Sequence, residues 1–118
     1  MVQQFDQPME QLSIKDCRDL LKIQSKDTIN QYLKTLKLFG NKYLNWEQIR
    51  QVLELQIYLG LKHGRNSKEN FRQMTRQQIE ETFQSYGVDV DARLKALKQT
   101  HRDSVQQKGV KVVSLLKK

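Results

Sequence analysis

A mainly α-helical fold, with one small β-hairpin and a short terminal strand, is predicted by three observations. Apolar residues recur at helical spacing along most of the chain, as in Ile29, Leu33 and Leu36, or Ile49, Val52, Leu53 and Ile57. Cap-forming residues stand just before these runs: Ser13, Ser25, Asn45, Ser67 and Asp89. Strand signals are few. They are the Gly40-Asn41 pair between two short β-prone pieces, and the valine-rich stretch after Gly109.

Taken in order, residues Met1 to Gln11 read as a partly ordered arm. Val2, Phe5, Met9 and Leu12 are available to pack on a core, and Pro8 interrupts any early helix. The first helix is expected after Ser13, with Asp16 completing a capping-box-like pattern. Ile14, Cys17, Leu20 and Leu21 share one of its faces. Lys22 to Gln24 form a turn, and Ser25 caps a second helix whose inward side is Ile29, Leu33 and Leu36. Leu38 to Tyr43 then predict a hairpin, because a two-residue Gly-Asn turn suits positive φ. Helix, turn, helix and hairpin is the order of a winged helix-turn-helix.

Asn45 is expected to cap a helix from Trp46 to about Leu59, with Trp46, Ile49, Val52, Leu53 and Ile57 inward and Trp46 as a core anchor. Tyr58 to Asn66 is the expected break, with Gly60 and Gly64 as candidate C-caps. Lys62, His63 and Arg65 there either complement the helix dipole or touch a phosphate. Ser67 opens a helix to Tyr86, stopped by Gly87 and carrying Phe71, Met74, Ile79, Phe83 and Tyr86 on one side. Thr75 with Gln78 marks a break within it. Asp89 caps a last helix through about Gln107, with Val90, Leu94, Leu97 and Val105 inward and His101 on the same stripe. The tail from Val110 to Lys118 is β-prone, and its expected partner is the same segment of a second copy, or the hairpin. This divides the chain into a winged helix-turn-helix at 1–66 and a helical dimerisation region at 67–118.

Composition narrows the partners. A net charge of +8 over 118 residues favours a polyanion. Its distribution says more: Lys22 to Lys42 hold five lysines against the single acid Asp27. An apolar share of 37% is modest, so association with another copy would help bury surface. Cys17 is the one cysteine and cannot form an internal disulfide, which suits a reducing cytoplasm and a buried, inert thiol. No apolar run approaches a membrane span, and Asp6, Pro8 and Glu10 do not compose a signal peptide. His101 has no second histidine or cysteine at ligand spacing, so neither metal nor cofactor is expected. Asp89 and Asp91 read as helix-start acids. No nucleophile–base pair, glycine-rich phosphate loop or convergent carboxylate pair points to an enzyme.

The functional expectation rests on the outer side of the second helix. Asn, Gln and Lys hydrogen-bond base edges or phosphates in the major groove, and a helix N-terminus favours a phosphate. The expected DNA-contacting set is Ser25, Lys26, Thr28, Asn30, Gln31 and Lys34 on that helix, Lys42 and Tyr43 at the hairpin, and Arg65. A merely solvated face is the bland alternative. The short helix and tight turn before it, and the basic hairpin after it, argue against that.

These residues resemble the DNA-binding domain of the MerR family and, more distantly, excisionase-like winged helices. The likeness covers the first half to two thirds of the chain. It is carried by the strand-like start Leu12-Ser13-Ile14 running into the first helix, and by Tyr43-Leu44-Asn45-Trp46-Glu47-Gln48-Ile49-Arg50 leading from the wing into a long helix. A narrower likeness is to the small MerR-type repressors that accompany cyanobacterial CRISPR-associated transposons. The family's arginine-rich wing is reduced here to Asn41-Lys42-Tyr43, and its Tyr-Tyr-Glu signature to Tyr32. The resemblance implies a homodimer on a two-fold, palindromic or pseudo-palindromic operator, acting in the cytoplasm at the nucleoid. With no cysteine cluster and little room for a ligand domain, repression by occlusion is expected over effector-gated activation. The alternative is a helical adaptor binding a protein partner through the Phe71 to Val105 region, without sequence-specific DNA binding.

Overall fold

Short polar side chains that accept backbone N–H groups set most of the helix starts. The computed structural model describes residues 10–61 and 66–117, with side chains through residue 105. Strand β1 (Gln11–Ser13) leads directly into α1 (Ile14–Leu21), and α2 (Lys26–Thr35) follows the turn. Strand β2 (Tyr43–Asn45) leads into α3 (Trp46–Leu61). The second half is α4 (Ser67–Gln73), α5 (Arg76–Ser85) and α6 (Val90–Lys117). The protein is therefore mainly helical with a small two-stranded antiparallel sheet, as the sequence predicts.

Most caps fall where they were expected; Ser67 instead is the first residue of its helix, and Asn66 at the cap position makes no side-chain cap bond. Ser13 Oγ accepts from Asp16 N at 3.1 Å, and Ser25 Oγ accepts from Asp27 N at 3.1 Å and Thr28 N at 3.3 Å. Asn45 and Gln48 form a reciprocal capping box, with Gln48 N donating to Asn45 Oδ1 at 2.8 Å and Asn45 N to Gln48 Oε1 at 3.0 Å. Thr75 and Gln78 form another, which makes the break between α4 and α5. Asp89 Oδ1 accepts from Ala92 N at 3.0 Å.

Three helices end by one device. Lys22, Lys37 and Gly87 take left-handed φ values of 59°, 61° and 71°. The next residue folds back each time: Ile23 N donates to Arg18 O at 2.9 Å, Leu38 N to Leu33 O at 2.7 Å and Val88 N to Phe83 O at 2.8 Å. This is the Schellman arrangement, in which an apolar residue after the left-handed position covers the helix end. It turns α1 into α2 with only residues 22–25 between them.

The same device corrects the expected hairpin. Folding Leu38 back onto α2 takes it out of an extended strand, and Gly40 at φ 100° continues the turn. The strand Tyr43–Asn45 pairs instead with Gln11–Ser13, placing Leu12 opposite Leu44. Both leucines are buried, so this register gives the small sheet an apolar inner side.

Helix α3 is the centre of the molecule. Ile49, Val52, Leu53, Leu55, Ile57 and Tyr58 are all buried on it, and α2, α4, α6 and β2 pack around it. Trp46 is half-buried, and the helix runs through Gly60 to Leu61 rather than stopping there. Gly64, like the arm at residues 1–9, lies outside the described residues. The core is continuous from Leu12 through Phe71, Ile79 and Phe83 to Leu94, so it spans the expected boundary at residue 66.

Two expectations for the last helix are overturned. Its backbone stays helical past Gly109 to Lys117, so the expected terminal strand is absent. A helix satisfies its own backbone groups, whereas a lone strand needs a partner edge. Val105 points outward at 55% exposure, because the core contacts of α6 are made earlier, by Val90, Leu94 and the half-buried Leu97. Phe83 and Leu94, within the expected dimerisation region, are spent on the chain's own core.

Candidate nucleic-acid interface

The geometry of the site follows from how α1 and α2 are locked. Arg18 Nη1 donates to Gln24 O at 3.0 Å across the turn, and Gln56 of α3 donates from Nε2 to Leu21 O at 2.9 Å. Ile29 and Leu33 fix the inner side of α2 against the core, with Tyr32 and Leu36 half-buried beside them. The opposite side of α2 faces out. Lys26, Gln31 and Lys34 are exposed there, while Thr28 and Asn30 are half-buried on its flanks. All five lysines from Lys22 to Lys42, from the turn through α2 to the start of β2, are exposed.

Not every expected contact residue has the expected freedom. The Ser25 hydroxyl oxygen already caps α2. Asp27 is exposed in the first turn, where its charge suits the helix dipole but opposes a phosphate at that end. Lys42 and Tyr43 are exposed at the start of β2, and Tyr43 sits opposite Ser13 in the sheet. Lys62, His63 and Arg65 lie outside the described residues.

Two residues join the site that the sequence pattern does not single out. Phe39 is 55% exposed, and the Lys34 ammonium lies 4.9 Å from its ring centroid. That cation–π contact ties the outer side of α2 to the loop before β2. Lys68 on α4 donates from Nζ to Gln31 Oε1 at 2.6 Å, linking α2 to a helix 37 residues further on. A lone lysine in a polar heptad offers no local signal for either role.

Elsewhere, polar chemistry is structural. Glu54 on α3 is 1% exposed and is held by both Arg76 guanidinium donors, with Nη1 at 3.1 Å from Oε1 and Nη2 on Oε2. Arg50 Nε reaches Glu54 Oε2 at 3.2 Å, and its Nη1 bonds Asp91 Oδ1 at 2.5 Å. Burial works against the Arg50 charge, but the bonds to Asp91 and Glu54 outweigh it and hold the guanidinium above its ordinary value. The Glu54 bond does the same for Arg76. A cleft of about 390 Å³ lies beside this pair, between the end of α2 and α4–α5, lined by Leu36, Phe71, Met74 and Ile79 among others. Trp46 Nε1 donates to Glu10 Oε1 at 2.7 Å, and His101 stands edge-on to the Trp46 ring at 5.9 Å. Among the described residues no group of three or more His, Cys, Asp or Glu is placed to hold a metal, and no helix is long and apolar enough to cross a membrane.

The arrangement defines a helix-turn-helix in which the second helix shows a polar, lysine-rich side. No family model, curated protein or solved structure matches the chain.

Proposed function

We propose that the protein is a sequence-specific DNA-binding regulator that reads the major groove with the outer side of α2 and acts as a homodimeric repressor by occluding its operator. The observation that carries this reading is the capped α2, locked behind α1 by the Lys22 turn. Its apolar side is consumed by the core, and Asn30, Gln31 and Lys34 remain on the surface. An α-helix presented in this way fits the major groove, and the exposed Lys22, Lys26, Lys37 and Lys42 flank it where phosphates would run. The adaptor alternative has less support. Phe71, Ile79, Phe83 and Leu94, the apolar residues it would use, are buried within the chain.

The test is binding to duplex DNA after selection from a randomised pool. Asn30→Ala should cost about 1–3 kcal/mol at one operator position and leave nonspecific binding nearly intact. Lys42→Ala should weaken binding to all sequences and reduce the salt slope by about one unit. Equal loss on every sequence for Asn30→Ala would make it a backbone contact. An unchanged affinity for both variants would reject the surface.

A further inference from the structure

The bond between Lys68 and Gln31 determines what α2 can show to a base. A lysine ammonium has three donors and no acceptor, so the carboxamide end facing it must be the oxygen. Lys68 Nζ lies 2.6 Å from Gln31 Oε1, as this requires. The Gln31 Nε2 group is not part of this bond, and Gln31 is exposed. No described residue accepts a hydrogen bond from it.

The lysine is set on a fixed support. Helix α4 is anchored by Phe71, which is buried against Tyr58 with ring centroids 5.4 Å apart. Lys68 lies one turn before Phe71 and is itself half-buried. A free glutamine turns either end of its amide outward. Gln31 has one end already engaged.

We propose that Lys68 is a positioning residue that biases Gln31 toward donating, so that the base it faces is selected for acceptors and guanine is preferred. This rests on the DNA-binding reading above. A glutamine that reads adenine in bidentate fashion uses its oxygen to accept from N6 and its nitrogen to donate to N7. Lys68 occupies one of the oxygen's two lone pairs and its charge opposes a second donor there, so the adenine pairing is weakened. Guanine presents O6 and N7, both acceptors, to the remaining amide donors and to the neighbouring ammonium. Cytosine presents the N4 donor, which meets the opposing charge of the ammonium and is disfavoured.

The experiment selects duplex sites with the full-length wild-type chain. It then measures affinity for all four bases at the position whose preference disappears in Gln31→Ala. Guanine should rank first and cytosine last, with a spread of roughly tenfold or more, the size expected for a good base contact. Lys68→Ala should move the preference toward adenine by a similar factor and leave the salt slope unchanged. Lys68→Arg, which is also donor-only, should retain guanine, and Gln31→Glu, now acceptor-only, should shift the choice toward cytosine. An identical base ranking in Lys68→Ala overturns the proposal. So does a uniform loss on all four bases with a shallower salt slope, which would make Lys68 a phosphate contact. A wild-type site at which Gln31→Ala alters no base also overturns it. A wild-type chain that enriches no sequence rejects the DNA reading itself, and this inference with it.

Discussion

Cys17 is wholly buried on α1, with Sγ directed at Leu12 O 3.9 Å away. Burial pushes its thiol up from an ordinary value of 9.0 to about 12, with the charge of Asp16 adding to the effect. The folded chain therefore keeps this proton through a range in which the unfolded chain releases it. The resulting stability is complete below about pH 9 and is lost as pH rises toward about 12. Comparing chemical unfolding of wild type with Cys17→Ala isolates this from the titration of lysines and tyrosines. The wild-type advantage should shrink by about 1.4 kcal/mol per pH unit across that window. A constant difference between the two chains would show that the thiol does not titrate as its burial demands. At this scale the sequence was legible where the signal is local. Ser13, Ser25, Asn45 and Asp89 act as caps through groups three residues away or fewer. The left-handed Lys22 and Lys37 were not legible as such, because lysine carries no mark for a conformation that glycine usually takes. Lys68 was hidden for another reason: its partner is remote in sequence.

Between elements, the buried carboxylate of Glu54 holds α3, α5 and the start of α6 in one network through Arg76, Arg50 and Asp91. In the sequence Glu54 is an acid inside an apolar run, and neither its burial nor its partner 22 residues away follows from spacing. Helical periodicity did find α3, but its buried surface extends around most of the helix and exceeds the expected stripe. The small sheet was similarly half legible. Its second strand was expected near Tyr43, but the backfolding of Leu38 and the apolar match of Leu12 with Leu44 chose the other partner. Removing Arg76 leaves Glu54 with Arg50 alone. Because Arg76 is half exposed, Arg76→Met should destabilise by about 1–3 kcal/mol, below the range for a fully buried pair. Glu54→Leu should cost less than breaking the pair from the arginine side if packing compensates for the lost charge. The double variant should then recover part of the Arg76→Met loss in a denaturant double-mutant cycle. Simple additivity would mean that the two side chains are not energetically coupled.

For the whole molecule, the question is what covers the far part of α6. This helix runs for 28 residues, about 42 Å at 1.5 Å per residue, and among its described side chains, which end at Val105, those tied to the core run from Val90 to His101. The helical backbone continues to Lys117, Val105 is exposed, and the sequence from Val110 to Leu116 is rich in valine and leucine. An exposed valine followed by an apolar sequence on one helix is a surface that a second copy of the same helix would cover. The proposed homodimer therefore shifts from a terminal strand, where the sequence placed it, to paired helices beyond His101. Two-fold pairing would set two α2 helices on half-sites about one DNA turn apart, ~34–36 Å. Sedimentation should give twice the 14.0 kDa of one chain at micromolar concentration. Val105→Glu, or truncation after Ser104, should shift the protein toward monomer while leaving the fold up to α6 intact by circular dichroism. Operator affinity should fall steeply in both variants, because each chain then holds only one half-site, while affinity for an isolated half-site should be unchanged. A wild-type chain that sediments as a monomer and still binds its operator tightly would reject the paired-helix assembly and leave α2 to act alone.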